Sequence, residues 1–299
     1  MALTFKSFKL YNHFFATDID LNKHFHIPSS NSDNHSFKVQ SGKISFKYLD
    51  QKPAKDFDVY ADNDSVEVYK KNVGKFLLSK GKKIIYEKHS FAKEPNFSAF
   101  LFSTVIGYLF YQKQNLVIHA SALNFNGSSI FFSGRSGSGK SHLASNFMDQ
   151  STFLTEDTCC FQISNNFFSI APSLPFIKLK NLNANIQALK RHDTQLDRRN
   201  RKIYILNNNH KIENVFKGGI FLKVGDKEYA KEIQKVDAFK YMFANSTLHH
   251  PLNLNIDEEI EIIEKIPKIL SQGKFYEVQR REGQDFDIKK IGEFIQELI

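Results

Sequence analysis

The residues from Gly134 to Ser141 read GRSGSGKS and carry the clearest chemical signal in the chain. They match the pattern G-x-x-x-x-G-K-[ST] in full. Glycines let such a loop curl so that successive backbone N–H groups point at phosphate oxygens, and the following helix adds its positive N-terminal end. Lys140 would reach the β- and γ-phosphates, and Ser141 would offer its hydroxyl to magnesium. The segment therefore predicts a binding site for ATP with Mg²⁺.

The sequence on both sides of this loop supports the prediction. The hydrophobic run Ser128–Ser133 reads as a strand that enters the loop, and residues 140–148 read as an amphipathic helix that leaves it. A fortuitous Gly/Ser turn is the alternative interpretation. The predicted nucleotide-binding residues are Gly134, Arg135, Ser136, Gly137, Ser138, Gly139, Lys140, Ser141 and His142.

Two adjacent carboxylates follow downstream of the loop. Phe153–Thr155 reads as a short strand, and Glu156 and Asp157 stand at its end. One carboxylate together with Ser141 satisfies the modest ligand requirement of magnesium, and a kinase also needs a group that orients or deprotonates its acceptor. Two acids can divide these roles, so both are candidate catalytic residues. The alternative is a strand-end turn whose acids are solvated.

A histidine in an apolar strand is the third candidate. His119 lies within the run LVIHASA. From the pattern alone, such a histidine is more often a core residue with satisfied hydrogen bonds than a functional one. A basic residue between 191 and 201 that folds over the phosphates is a weaker hypothesis, since charged loops are usually solvated.

The sequence predicts that these residues are positioned by an α/β (α+β) fold in two parts. Residues 36–88 alternate between polar and apolar types with intervening turns, which indicates short antiparallel strands in a small β-rich N-terminal domain, residues 1–95. Residues 96–299 are predicted to form the P-loop domain with a mixed sheet. It begins with the uncharged helix 97–111 and continues with a hairpin, 116–125 and 128–133, that turns at Asn126-Gly127.

The remainder of the second domain alternates strands with helices. A second hairpin is predicted at 159–163 and 167–171, and residues 181–202 read as an exposed aperiodic segment. The later predictions are strand 215–224, helix 237–244, helix 257–270 with a kink or end at Pro267, strand 275–279 and helix 288–298.

Composition excludes several functional classes. The net charge is +9, but the basic residues are scattered without interleaved aromatic residues, so no nucleic-acid partner is predicted. The adjacent Cys159 and Cys160 suit a reducing cytoplasm, and the N-terminus lacks the apolar core of a signal peptide. The apolar segment 97–111 is too short to span a bilayer, which requires about 20 residues. A cytoplasmic protein without a membrane partner is therefore expected.

Taken together, three segments resemble the HPr-kinase-like group, which shares its nucleotide core with phosphoenolpyruvate carboxykinase. The segments are IHASA at 118–122, the loop 134–141 and LTED at 154–157. The proline-bearing run 172–178 also looks like the segment that follows the acidic pair in that group. The resemblance covers residues 97–180 well and the C-terminal third loosely.

The resemblance implies roles residue by residue. Lys140 and Ser141 match the phosphate-binding and metal-binding positions, and Asp157 matches the acid tied to metal and catalysis. Glu156 replaces the first aspartate of the pair, and His119 matches a histidine beside the metal and phosphates. The implied metal ligands are thus Ser141 and Asp157, and the implied catalytic residues are Asp157, Glu156, His119 and Lys140.

Differences from the dedicated HPr kinases point to a divergent member. His142 stands where those enzymes usually have an acidic residue, and their C-terminal glycine-arginine-asparagine signature is missing. Divergent relatives phosphorylate serine in small ribosomal peptides or free small molecules. The expected activity is therefore ATP- and Mg²⁺-dependent phosphoryl transfer to a hydroxyl acceptor on a peptide, a protein or a small molecule.

Two other functions stay open on the sequence. One is an NTP-binding regulatory or assembly protein with little transferase activity, in which the β-rich domain would be the interaction surface. The other is plain ATP hydrolysis that drives a conformational change. Relatives often form oligomers, so the resemblance also admits a homo-oligomer.

Overall fold

A computed structural model describes residues 4–51, 55–62, 64–164, 166–181, 188–193, 201–207, 212–246 and 256–299. The N-terminal part forms a seven-stranded sheet in the order β1-β2-β3-β7-β6-β5-β4. Its elements are β1 Lys6–Leu10, β2 His13–Thr17, α1 Leu21–Phe25, β3 Phe37–Ser41, β4 Phe57–Ala61, β5 Ser65–Lys70, β6 Gly74–Ser79 and β7 Lys83–Lys88.

The predicted all-antiparallel pairing of this sheet is wrong at β3. Strands β4 to β7 follow one another as antiparallel neighbours, as the alternation predicts. Strand β3, in contrast, runs parallel to both β2 and β7. Long connections precede and follow β3, and they let the chain cross before it pairs again. Alternation reports which residues share a face but carries no information on strand direction.

A long buried helix joins the two parts of the chain. It consists of α2 Asn96–Phe100, a π-helical turn Leu101–Val105 and α3 Ile106–Gln112, in agreement with the predicted helix. Buried residues of the N-terminal sheet, this helix and the following strands belong to one hydrophobic cluster. The domain boundary near residue 95 stays a prediction. Among the described residues, no helix combines the length and apolarity that a membrane crossing requires.

The rest of the chain forms a mixed six-stranded sheet, two three-stranded sheets and several helices, so the fold is a mixed α+β fold. The elements are β8 Val117–Ile118, β9 Ala120–Phe125, β10 Ser128–Gly134, α4 Lys140–Ser145, β11 Thr152–Thr155, β12 Cys159–Ser164, β13 Phe167–Ile170, β14 Phe176–Leu179, β15 Ala188–Asp193, β16 Lys202–Leu206, β17 Val215–Gly225, β18 Tyr229–Glu232, α5 Lys235–Ala244, α6 Ile256–Ile263, α7 Lys265–Ser271, β19 Lys274–Arg281 and α8 Ile288–Leu298.

Strand order in the six-stranded sheet places the glycine-rich loop at its centre. The order is β11-β9-β10-β17-β19-β18, with β10 parallel to β17 and β17 parallel to β19. The predicted hairpin is confirmed: β9 and β10 pair antiparallel across Asn126 and Gly127, whose φ angles are 48° and 95°. Both residues adopt the positive φ that a tight two-residue hairpin turn requires. The second hairpin, β12 with β13, is also confirmed.

One prediction in the C-terminal half is wrong. The sequence predicts an aperiodic segment over 181–202, yet β15 within it pairs antiparallel with β16. The predicted interruption of the helix over 257–270 by Pro267 is confirmed, since the helix divides at Glu264 into α6 and α7, just before the proline. Pro267 lies in the first turn of α7, where backbone N–H groups have no intrahelical acceptor, so its missing N–H group costs no hydrogen bond.

Candidate functional site

The glycine-rich loop joins the end of β10 to the start of α4. Gly137 and Gly139 have φ angles of 93° and 101°, a region that residues with a Cβ atom rarely occupy. Gly134 is required for a different reason, since a Cβ atom there would lie 2.4 Å from the carbonyl oxygen of Leu222 on the neighbouring strand. The glycines therefore permit both the curl of the loop and its close packing on the sheet.

Lys140 lies at the base of this loop, with 6% of the residue exposed. Its Nζ atom donates hydrogen bonds to the carbonyl oxygens of Gly134, at 2.8 Å, and Arg135, at 3.3 Å. The side chain thus folds back under the loop, and its ammonium stays among the loop atoms and away from the hydrophobic core. An ammonium held there faces the same space as the loop backbone, which suits binding of an anion.

Ser141 and Glu156 are joined directly. The Ser141 hydroxyl donates a 2.8 Å hydrogen bond to Glu156 Oε1, and the backbone N–H of Lys178 donates to Glu156 Oε2 at 3.0 Å. Glu156 is completely buried. Burial, followed by repulsion from the Asp157 carboxylate, raises the pKa of Glu156 to about 7. A buried carboxylate beside a serine hydroxyl is a set of oxygen donors that suits a hard cation.

Asp157 is held in a different environment from its neighbour. The Nζ atom of Lys178 lies 2.9 Å from Asp157 Oδ2, and Asp157 itself has a φ angle of 65°. Burial of this carboxyl opposes its ionisation, but the Lys178 ammonium outweighs burial and holds the pKa of Asp157 well below its usual range. The pKa values of the two adjacent acids are thus shifted in opposite directions.

His119 lies beside Asp157 at the start of β9. Its Nδ1 atom is 3.1 Å from the carbonyl oxygen of Asp157, and its Nε2 atom is 3.9 Å from Asp157 Oδ1. A carbonyl oxygen only accepts, so Nδ1 carries a proton in this contact. Partial removal of the ring from water lowers the pKa of His119, while the Asp157 carboxylate acts in the opposite direction. The imidazole therefore favours the neutral form with Nε2 as an acceptor.

Backbone and hydroxyl contacts fix the acidic turn to the long helix. The Thr158 hydroxyl donates to the carbonyl oxygen of Ser103 in the π-helical turn at 2.6 Å, and the Thr155 hydroxyl donates to the carbonyl oxygen of Thr158 at 2.7 Å. π-Helical turns often occur at functional sites. Here the turn supplies an acceptor that sets the position of Glu156 and Asp157.

These residues surround one cavity of about 750 Å³. Its walls come from the loop and α4, the acidic turn, β14, the long helix and the N-terminal sheet. The lining residues are Phe57, Lys70, Phe100, Thr104, His119, Ser136, Gly137, Gly139, Lys140, Ser141, His142, Asp157, Lys178, Leu179, Lys180, Asn181 and Arg201.

The structure brings together most of the residues singled out from the sequence. Glu156 lies buried beneath the cavity, bonded to Ser141. Gly134 and Ser138 are buried in the loop, whereas Arg135 is exposed. The two metal ligands implied by the resemblance are not in direct contact, since Ser141 bonds to Glu156 and Asp157 bonds to Lys178.

Several lining residues were given no role in the site by the sequence, and four of them bear on the argument below. Lys178 ended the proline-bearing run of the resemblance but received no role, and Arg201 was considered only as one end of a charged segment. Phe57 and Lys70 come from the N-terminal part and gave no signal, because nothing in the local sequence places that part beside the loop. Of the basic segment 191–201, residues 194–200 lie outside the described residues.

Comparisons with known proteins add little to this geometry. No protein-family model matches the sequence. No curated protein matches it either. Among solved structures, the HPr(Ser) kinase/phosphatase from Coxiella burnetii aligns with a TM-score of 0.28 and 9% identity, over 60% of this chain and 88% of that chain. A likeness at that level establishes no shared activity, so the function is argued from the residues of the site.

Proposed function

We propose that this protein is a kinase that transfers the γ-phosphoryl group of ATP to a hydroxyl acceptor. The proposal rests on one observation. A phosphate-type loop and two acids in different environments lie around the same cavity. Ser141 contacts Glu156 at 2.8 Å, and Lys178 contacts Asp157 at 2.9 Å. Phosphoryl transfer needs this combination of nucleotide binding, metal binding and acceptor orientation.

The loop is the nucleotide subsite. Its backbone N–H groups and the start of α4 supply positive potential for the phosphates. Lys140 is already directed into this space, where its ammonium bonds to the loop carbonyls of Gly134 and Arg135. The ammonium would exchange these carbonyl oxygens for phosphate oxygens, which are stronger acceptors because they are charged.

Ser141 and Glu156 form the best-fitting part of a magnesium site. Among the described residues, no cluster of three or more His, Cys, Asp or Glu side chains could hold a metal. Magnesium does not require such a cluster, because it binds through one or two protein oxygens together with phosphate oxygens and water. Asp157, the next residue along the chain, is the other candidate ligand. When bound, Mg²⁺ would neutralise charge on the β- and γ-phosphates.

Asp157 and His119 are assigned to the acceptor. The acceptor oxygen forms a bond to the γ-phosphorus, the bond from that phosphorus to the β,γ-bridging oxygen breaks, and ADP leaves with the electron pair. The hydroxyl proton goes to the Asp157 carboxylate. A weak base suffices, because a loose transition state needs the proton to move only late, and orientation contributes most. Lys178 and Arg201 place positive charge beside the transferred group.

A second function is favoured by one specific contact. The Lys178 ammonium lies 2.9 Å from Asp157 and lowers its basicity, which suits a protein that binds ATP without transferring its phosphoryl group. An NTP-binding regulatory or assembly protein is therefore the alternative. In that case tight nucleotide binding would accompany an absence of acceptor labelling.

The test combines binding with transfer. Calorimetry with Mg²⁺ and ATP measures binding, and labelled ATP with pools of serine peptides and small alcohols measures transfer. We expect Lys140→Ala to abolish both, while Lys289→Ala, an exposed lysine on α8, changes neither. Transfer by Lys140→Ala at the wild-type rate would refute the proposal. ATP binding by the wild type without any transfer would favour the alternative.

A further inference from the structure

The inner face of the N-terminal sheet extends out of the core and into the cavity. Ala61 of β4 and Val66 and Val68 of β5 are buried on this face. Because side chains alternate along a strand, Phe57 and Lys70 share the same face. These two residues are directly opposite each other in the β4–β5 register, and both line the cavity.

This part of the wall lies on the Asp157 side of the loop. The Phe57 and Phe100 rings pack edge to face with centroids 6.3 Å apart. Phe100 and Thr104 belong to the helix in which the Ser103 carbonyl accepts the Thr158 hydroxyl at 2.6 Å, and Thr158 directly follows Asp157. The contacts therefore connect Phe57 to the acidic turn through a single helix.

The nucleoside end of ATP belongs on the opposite side. In a loop of this type the phosphates follow the backbone N–H groups, and the lysine reaches the β- and γ-phosphates, so the γ-phosphate lies nearest the catalytic acids. Hence the Phe57 and Lys70 wall faces the position of the acceptor, not of the base. The wall is fixed in place by the shared core with the long helix.

Charge on this wall indicates what it would bind. Lys70 lies at the end of this face, in the same cross-strand row as Lys88, whose ammonium pairs with Glu94 at 3.0 Å. Within the described part of the chain no salt bridge to a carboxylate is found for Lys70, and its Nζ atom lies 5.7 Å from the centroid of the Phe57 ring. Lys180 and Arg201 also line the cavity. Several cationic side chains therefore line one cavity, and their combined positive potential makes this wall suit an anionic ligand.

We propose, on the basis of the kinase function above, that the acceptor is an anionic alcohol recognised by the N-terminal sheet. Lys70 binds a carboxylate or phosphate group close to the hydroxyl, and Phe57 and Phe100 contact the carbon skeleton between them. A serine peptide with acidic neighbours and a small phosphorylated alcohol share this chemistry. The N-terminal sheet is thus the specificity element of the site.

The test uses the full-length protein, Mg²⁺ and labelled ATP with matched acceptors. One arm compares serine peptides flanked by Glu, Gln or Lys, and the other compares glycerol 3-phosphate with glycerol. Variants are Lys70→Glu and Lys70→Gln, with Lys71→Glu as control. Lys71 carries the same charge but is exposed and pairs with Asp56 at 3.8 Å. Thermal denaturation verifies that each variant is folded.

We expect the wild type to prefer the anionic member of at least one arm by about tenfold or more, in the range of one charge-assisted hydrogen bond. Lys70→Glu should abolish the preference through a higher KM for the acceptor, with the KM for ATP unchanged, and Lys71→Glu should keep it. The peptide and glycerol arms distinguish the two sources of the anion.

Labelling without anionic preference, or a preference that survives in both Lys70 variants, would overturn this inference while leaving the kinase function intact. Absence of labelling in every pool would contradict both.

Discussion

The ammonium of Lys178 lies 2.9 Å from Oδ2 of Asp157, while the backbone N–H of the same lysine donates to Oε2 of Glu156 at 3.0 Å. One residue of β14 therefore contacts both acids of the turn, one through its side chain and the other through its backbone. Asp157 bonds to the ammonium itself, whereas Glu156 bonds to the peptide N–H and to the Ser141 hydroxyl. This difference accounts for the opposite directions of their pKa shifts, together with the burial of Glu156 and its repulsion by Asp157.

Replacing Lys178 with Met should move the pH dependence of phosphoryl transfer. Without the ammonium, the pKa of Asp157 rises, so the activity falls at a higher pH on the acidic side of the profile. We expect transfer to fall by about 10- to 100-fold, the usual range for the loss of an outer partner that orients a functional group. Lys178→Arg, which keeps the charge, should retain the position of the acidic limb. An acidic limb that stays in place in Lys178→Met would contradict the assigned role.

Glu156 should make stability fall as pH rises through the weakly acidic range. Its folded pKa is about 7, raised above the ordinary glutamate value by burial first and by Asp157 second. The folded state therefore binds more protons than the unfolded state between about pH 4.5 and 7, and the free energy of unfolding decreases with pH in that window. The effect is on the order of 2–3 kcal/mol.

Chemical denaturation of the nucleotide-free protein across this window measures the effect. In Glu156→Gln the group cannot titrate. The free energy of unfolding of the wild type should therefore decrease relative to that of the variant as pH rises. A constant difference between the two proteins would show that Glu156 titrates normally.

Ser141 should govern the magnesium-dependent part of nucleotide binding. Ser141→Ala removes the hydroxyl that bonds to Glu156, and we expect the affinity for ATP in the presence of Mg²⁺ to fall by about tenfold, near the value of one charge-assisted contact. Affinity without Mg²⁺ should change little. Ser141→Thr retains the hydroxyl and serves as the matched control. Calorimetric titrations with and without the metal separate these cases, and an equal loss under both conditions would argue against a metal role.

Gly139 should be required for nucleotide binding for conformational reasons. Its φ angle is 101°, and a Cβ atom would lie 3.3 Å from the Phe286 ring, so Gly139→Ala distorts the loop at a cost of about 1–3 kcal/mol. Gly107→Ala is the control, because its Cβ atom meets nothing closer than 3.6 Å and alanine favours the helix. We expect weakened ATP binding only in Gly139→Ala. Equal affinities in the two variants would remove the argument for a strained loop.

The sequence singles out residues that lie together in the structure, because the signals around the glycine loop are local. The glycine loop, the Asn126-Gly127 turn and the acids after β11 each depend on neighbours within a few residues. Lys178 is 21 positions from Asp157, and its approach to the acids depends on how β14 is placed. No periodicity encodes that placement. Sequence analysis therefore finds the acids but not the lysine that contacts both of them.

The same limit explains why the sequence does not reveal that the N-terminal sheet lines the cavity. Alternation in residues 57–70 reveals strands and a shared face, but not that this face ends at a cavity formed by residues far along the chain. The parallel pairing of β3 is another long-range property, set by connections and not by the strand itself. Lys70 thus reads from sequence as an ordinary solvated lysine.

A crystal structure with Mg²⁺ and a non-hydrolysable ATP analogue tests the central claim most directly. The account predicts the triphosphate in the curve of the Gly134–Ser141 loop, with the Lys140 ammonium on phosphate oxygens and the terminal phosphate beside Asp157 and His119. A triphosphate bound elsewhere, or a loop that stays empty at saturating analogue with Lys140 still bonded to Gly134 and Arg135, would contradict it.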